Sequence, residues 1–452
     1  MNKHVGLDLV GHQYVTNLAL TGLGLVTQIF LINSLHIEDY GTYGFLLSFH
    51  TMLTLFCGLG VAGSFQKQFP KLNDCERDTL VISSLKCQLT VLIIFCIPLI
   101  FFLGLQANAI FVVAYSVLVT ICNTCVRDNL VVRGQLRRLY GVEIGSRITQ
   151  FAIIYIASRD LTLSITEALS AILAAELFVF LSIRLSKFDV APVSIVALIS
   201  ENWPFIRAKL AEPFMLKMPG IWFVMFFLGP YEAGIYTFIV TLSYLFSQNF
   251  SVLRRLEVLL NRKSLEDGKV CVELLQVTVR AHFCIITLLI SGLFLFKDLF
   301  FVYFLDDKYR ESFDMLFLLL PLVLVAHTYY LQHPHCFVNN DVDKIARSVV
   351  VGAITHLVFL IALVPTFGVI GAVSAMALGY LARGAYLLPH PVLCMLVLRL
   401  LLISCVVGVI LVVSFSSMAE FTSSIFSAFG FFLISIFLLI SPMKNLVSGF
   451  RD

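Results

Sequence analysis

The sequence predicts an all-α polytopic membrane protein with about fourteen transmembrane helices, and three observations predict it. The 452 residues are 59% hydrophobic and 13% charged, include 41 Phe and have a mean hydropathy of +0.94. This is more apolar material than the core of a soluble globule needs. Apolar runs of roughly 18–25 residues, each able to cross about 30 Å of hydrocarbon at 1.5 Å per residue, recur along the whole length. Lastly, a pattern near residue 37 returns near residue 229.

The opening residues "MNKHVGLDLVGHQY" have no compact apolar stretch followed by a small-residue cleavage site, so the first apolar run reads as a retained helix. Spans are expected near 11–32, 42–65, 80–104, 108–126, 141–157, 162–185, 203–228, 232–253, 275–302, 313–337, 346–364, 369–388, 392–415 and 424–441. The fifth is short and holds Glu143 and Arg147; the seventh holds Arg207, Lys209, Glu212 and Lys217. Lys67, Arg77, Arg137, Arg138, Lys187, Arg254, Arg262, Lys263 and Lys344 fall among the loops that share a side with the N-terminus. The opposite loops hold only Arg159, Lys297, Lys308 and Arg310. Positive residues concentrate on the cytoplasmic side, so both termini are expected there.

The same distribution explains the net charge of +3 by topology, and no nucleic-acid partner is expected. The eleven Cys lie mostly inside apolar spans, and "CNTC" at Cys122 to Cys125 has no second pair at metal-site spacing. No Gly-rich phosphate loop with a following Lys is present, which argues against transport driven by this chain's own ATP hydrolysis. No cofactor or metal is expected.

The repeat pairs "IEDYGTYGFLLSFHTMLTLF" from Ile37 with "GPYEAGIYTFIVTLSYLF" from Gly229. Each is a short acidic loop, then Gly-x-Tyr, then an apolar helix. A weaker echo links residues from Val132 with those from Val338. Both offsets are roughly 200 residues, the length of six helices with their loops, so the chain parses as six plus six plus two helices in parallel repeats. The corresponding segments are 1–190, 191–390 and 391–452.

These residues carry a resemblance. "DYGTYGFLLSF" at 39–49, "GLGVAGSFQKQFP" at 58–70, "GPYEAGIYTFIVTL" at 229–242, "DKYRESFDMLFLLLP" at 307–321 and "VPTFGVIGAVSAMALGY" at 364–380 follow the order found in the multidrug, oligosaccharidyl-lipid and polysaccharide (MOP) flippase superfamily. Within it the chain resembles the bacterial polysaccharide repeat-unit flippases of the O-antigen and capsule type. The resemblance implies two six-helix lobes around a central cavity that opens alternately to each side, plus two C-terminal helices. It also implies a bacterial inner membrane, an isoprenoid-pyrophosphate-linked oligosaccharide as cargo, and a glycan polymerase and repeat-unit assembly enzymes as partners beside membrane lipids. One departure stands out: many relatives carry an Asp-Arg pair near the position of Pro219 and Gly220.

Charge in hydrocarbon costs at least about 2.5–3.5 kcal/mol per residue on insertion scales, so such residues usually face protein or a wet cavity. At 100° per residue Lys209, Glu212, Pro213 and Lys217 fall within an arc of about 140°, with Arg207 nearly opposite. If the helix starts near Trp203, Lys209 lies about 9 Å in and Lys217 about 21 Å in. Arg207 reads as an interfacial anchor, Lys209 and Glu212 as an i,i+3 pair, and Lys217 as the uncompensated charge suited to a pyrophosphate. Pro213 and Pro219 permit a bend, and Gly220 a close neighbour.

Two polar stripes have helical spacing: Asn17, Thr21, Gly24 and Gln28 in the first span, and Thr237, Thr241, Tyr244, Gln248 and Ser251 in the eighth. Isolated Thr or Ser residues in a membrane are explained by helix-to-helix hydrogen bonds. A stripe that adds Gln and Tyr suits a wall that meets sugars. Glu143 and Arg147 fit a structural lock near the cytoplasmic end, and Arg147 stays among the candidate substrate contacts. His50, Arg127 and Arg399 have no partner that the sequence identifies.

The leading expectation is a transporter and not an enzyme: a flippase in surface-polysaccharide biosynthesis. A cation-coupled drug exporter of the same superfamily is the first alternative, and it should place carboxylates deep in its N-terminal lobe. Here Glu167 and Glu176 are confined to the sixth span. A membrane-embedded glycan polymerase or transferase is the second, and it should present a sizeable external loop or an acid/base constellation.

Overall fold

The computed structural model describes residues 19–20, 22–58, 107–121, 136–160, 163–182, 218–250, 297–313 and 341–387, with scattered positions between 76 and 94 and at 211, 214, 315, 316 and 336. Among the described residues there is no strand. The helices are α1 (Gly22–Ser34), α2 (Ile37–Gly58), α3 (Ala107–Ile121), α4 (Leu136–Ala157), α5 (Ile165–Leu181), α6 (Met218–Phe227), α7 (Pro230–Phe250), α8 (Lys297–Tyr303) and α9 (Val342–Leu387). The chain clusters into two compact units, Met1–Phe238 with Val364–Ala372, and Ile239–Leu363 with Val373–Asp452.

In the first unit α2 packs against α3, α5 and α6, and α4 packs against α5. Its 22 residues span about 33 Å, enough to cross a bilayer. Glu38 and Asp39 in its first turn complement the positive end of the helix dipole. Tyr40, Tyr43, Leu46, Phe49 and Leu53 fill the core beneath it. The hydroxyls of Thr42, Thr51 and Thr54 each donate to the carbonyl one turn back, which removes their polar cost within the helix.

The connection into α5 is fixed locally. Ser164 Oγ accepts from the Glu167 amide at 3.2 Å while the Ser164 amide donates to Glu167 Oε2 at 2.8 Å. This reciprocal capping box occupies Glu167 at a helix start. Leu163 N donates to Ser34 O, tying this loop to the α1–α2 turn. Phe30 of α1 meets Phe151 of α4 edge-on at 5.5 Å.

The α6–α7 turn follows from "LGP" at 228–230. Gly229 takes φ 99°, a left-handed conformation that glycine adopts without a Cβ penalty, and its amide bonds Val224 O at 3.2 Å. Pro230 then opens α7, where its missing N–H costs no helical hydrogen bond.

In the second unit, Asp306 caps a short 3₁₀ turn at Asp307–Tyr309 by accepting from the Lys308 amide. Arg310 bridges Asp298 at 3.3 Å and Asp307 at 3.0 Å, and its guanidinium lies 5.2 Å from the Phe301 ring centre. Tyr309 is fully buried under this corner. Burial holds the Lys308 ammonium below the usual lysine range, against the opposing pull of Asp306.

The 46 residues of α9 would reach about 69 Å if straight, twice the hydrocarbon thickness. They do not run straight. A Cβ placed on Gly379 would lie 3.0 Å from Gly352 O and 2.8 Å from His356 Cβ, so the chain doubles back between them. The reversal sits at Pro365 and at Gly368, whose φ of 57° and ψ of −134° are non-helical. Two antiparallel arms result, matching the spans expected at 346–364 and 369–388. At the open end Arg347 pairs with Asp343 at 2.9 Å.

Candidate functional site

The polar face expected on the eighth span is carried by α7. Gly234, Thr237, Thr241 and Tyr244 lie within an arc of about 80° at 100° per residue. Thr237 is 3% exposed and Thr241 8% exposed, so both residues are packed against protein, and the Thr237 hydroxyl oxygen itself is buried. Tyr244 is half-buried, and its hydroxyl hydrogen-bonds that of Tyr380 on the second arm of α9. Sequence periodicity does not single out Tyr380, because a single Tyr in an apolar span has no periodic partner.

Small residues decide how closely α7 meets α2. A Cβ on Gly41 would collide with Pro230 O and lie 2.6 Å from Gly234 N. A Cβ on Gly234 would collide with Ile37 O. One turn on, a Cβ on Gly44 would collide with the Thr237 side chain. Backbones can approach this closely only where no Cβ intervenes. Gly220 of α6 likewise leaves room for the Tyr236 ring, whose hydroxyl occupies the place of a Cβ.

Next to this contact α6 and α2 share an aromatic cluster. Trp222 Nε1 donates to Ser48 Oγ at 2.7 Å, and Ser48 Oγ donates to Phe45 O at 2.7 Å. The Trp222 ring lies 6.3 Å from Phe45 and 5.9 Å from Phe49. Deeper in α2, His50 Nδ1 is 2.7 Å from Ser116 Oγ and 3.3 Å from Thr54 Oγ1. Both hydroxyls also face backbone carbonyls, Val112 O and His50 O, to which they donate. That leaves their oxygens as acceptors and assigns the proton to Nδ1. Sequence reading found His50 and no partner; Ser116, 66 positions away, supplies it.

Arg147 is exposed on α4 and donates to Gln150 Oε1 at 3.0 Å. Gln28 is half-buried on α1. Asn17, Lys209, Glu212 and Lys217, and the side chain of Gln248, lie outside the described residues. Among the described residues no three His, Cys, Asp or Glu side chains converge. What the described groups offer is hydroxyl, amide and aromatic chemistry, the kind that recognises carbohydrate.

Residues 11–253, more than half of the chain, match the family described as polysaccharide biosynthesis protein. The chain belongs to that family. The chain also shares its multi-helix membrane fold with solved MOP transporters. A structure of the lipid II flippase MurJ in an inward closed conformation superposes with a TM-score of 0.64 at 14% identity, covering 98% of each chain. An inward-facing multidrug resistance MATE family transporter gives 0.60 at 13% identity, covering 82% of this chain and 96% of the other. A MOP superfamily transporter from Pyrococcus furiosus gives 0.51 at 14% identity, covering 83% and 93%. At such identities the likeness is one of fold. No curated protein matches the sequence. The protein is thus a multi-pass membrane protein of the MOP fold, with Asp343–Leu387 long and apolar enough to cross a membrane.

Proposed function

We propose that this protein turns an isoprenoid-pyrophosphate-linked oligosaccharide from the cytoplasmic to the external leaflet for surface-polysaccharide biosynthesis. Lobes 1–190 and 191–390 would alternate access to a cavity between them, with 391–452 as two additional helices. The observation that carries the reading is the family match over residues 11–253, joined to a likeness of fold with a lipid II flippase that covers 98% of both chains. Lys217, with Lys209 beside Glu212, attracts the pyrophosphate. Asn17, Gln28, Thr237, Thr241, Tyr244 and Gln248 meet sugar groups, and Arg147 adds a cation at the margin. The protein sits in a bacterial inner membrane with both termini cytoplasmic, and its partners are a glycan polymerase and the enzymes that assemble the repeat unit. The chain moves its cargo without making or breaking a covalent bond. In the native host, deleting the gene should leave lipid-linked repeat units exposed only on the cytoplasmic leaflet; repeat units reaching the outer leaflet at the unaltered rate would refute the assignment.

One observation favours the cation-coupled exporter. Glu176 is a buried carboxylate in the middle of α5, and multidrug transporters share the fold. On that reading Glu176→Gln abolishes ion-driven drug efflux. On the flippase reading it leaves glycan transport in place.

A further inference from the structure

Helix α4 carries a charge in the middle of a membrane span. It is 22 residues long, and Arg147 lies about 16 Å from its first residue and about 15 Å from its last. Neither interface is within snorkelling reach of the side chain. Arg147 is exposed, and a guanidinium exposed at that depth faces water inside the protein rather than lipid. Among the described residues no carboxylate pairs with it: Nη1 donates to Oε1 of the buried Gln150 at 3.0 Å, which fixes the plane of the group. That leaves the Nε–Nη2 edge, the one that meets a carboxylate with two parallel hydrogen bonds.

Aromatic rings continue the same face. Phe151 and Tyr155 follow Arg147 at i+4 and i+8, within an arc of about 80°. Their rings stack at 6.0 Å with 26° between the planes. Phe30 of α1 meets both edge-on, at 5.5 Å and 5.7 Å, and so holds the stack from the side. Tyr155 remains 43% exposed, and the Arg159 guanidinium lies 5.5 Å from its ring centre. From Arg147 the stripe runs about 12 Å, as cation, ring and ring, toward the end of α4 that the charge distribution assigns to the external side. A pyranose presents an apolar C–H face that packs on such rings, and a hexuronic acid adds one carboxylate for one guanidinium. On the transport reading Lys217 and Lys209 already match the diphosphate, which leaves Arg147 for a second, singly charged group.

We propose that this stripe selects repeat units that contain an acidic sugar: Arg147 binds the sugar carboxylate through its Nε–Nη2 edge, and Phe151 and Tyr155 carry the neighbouring rings. The proposal rests on the transport reading and names its substrate class, so two measurements keep their failures apart. In proteoliposomes, two fluorescent polyprenyl-diphosphate glycans of equal length are compared, one with glucuronic acid where the other has glucose. The unaltered protein should move the acidic glycan faster. Arg147→Gln should slow the acidic glycan at least about tenfold, the equivalent of a charge-assisted contact, and leave the neutral one within about twofold. Arg147→Lys should recover part of the loss. An equal loss on both glycans assigns Arg147 to the diphosphate and overturns the proposal, as does no loss on either. If Arg147→Gln does not fold, the preference of the unaltered protein decides alone, and equal rates overturn the stripe.

Saturation-transfer NMR on the detergent-purified protein reads weak binding without transport. A lipid-free oligosaccharide with glucuronic acid should give a signal that its glucose counterpart lacks, strongest on the protons of the rings beside the carboxylate. Equal signals, or none from either sugar, overturn the stripe. A selective signal with no glycan movement in liposomes removes the flippase reading and leaves the acidic-sugar site standing.

Discussion

Gly44 of α2 rests on Thr237 of α7, its own equivalent in the second repeat, and a Cβ on Gly44 would collide with the threonine side chain. The pair is asymmetric in sequence and complementary in space: Gly44 has no side chain where Thr237 places one. Overfilling such a site costs about 1–3 kcal/mol. Gly44→Thr alone should therefore lower the thermal midpoint of the purified protein, and Thr237→Gly alone should change it little. The exchange Gly44→Thr with Thr237→Gly should recover most of the loss. Simple additivity of the two single effects would show that the residues do not share one volume.

The α9 hairpin contains two glycines with opposite requirements. Gly368 has φ 57° and ψ −134°, a region nearly closed to residues with a Cβ, whereas Gly384 is helical and faces open space. Gly368→Ala should cost about 1–3 kcal/mol. Gly384→Ala should be neutral or stabilise by up to about 1 kcal/mol through helix propensity. Denaturation of the two variants in the same detergent checks the pair, and equal effects would mean that the reversal does not depend on Gly368.

Ser116 is the main acceptor for the buried His50 imidazole, with Thr54 a longer second contact. Ser116→Ala should cost about 1 kcal/mol, the net value of one neutral hydrogen bond. Ser116→Ala combined with His50→Leu should cost less than the sum of the single changes, because no donor is then left without its acceptor. Thermal midpoints of the three variants supply the cycle.

Helix periodicity and length made the fold class legible, since the bilayer requires long apolar spans and leaves little else to form. The repeat was legible as a pattern, yet the sequence does not say that Gly41 and Gly234 touch. An offset of about 200 residues pairs positions along the sequence and leaves open which of them meet. Glu167 is a case of the opposite kind: the pattern Ser164-x-x-Glu167 is a local capping signature, and structure shows the carboxylate engaged by Ser164. The Ser48–Trp222 and Tyr244–Tyr380 bonds join residues more than 130 positions apart. Nothing local in the sequence encodes such pairs. The hydroxyl face of α7 was legible because it repeats every turn, while its contacts depend on which helices lie opposite.

The proposed movement of a lipid-linked glycan between leaflets, with Lys217 drawing in the pyrophosphate, is measured by reconstituting the protein in liposomes that contain a fluorescent polyprenyl-pyrophosphate glycan and following the fraction that reaches the opposite leaflet. The unaltered protein should accelerate movement, Lys217→Arg should retain most of the rate, and Lys217→Ala should lose at least about tenfold, the cost of a charge-assisted contact. No acceleration over empty liposomes, under an imposed potential or an ion gradient, would contradict the account.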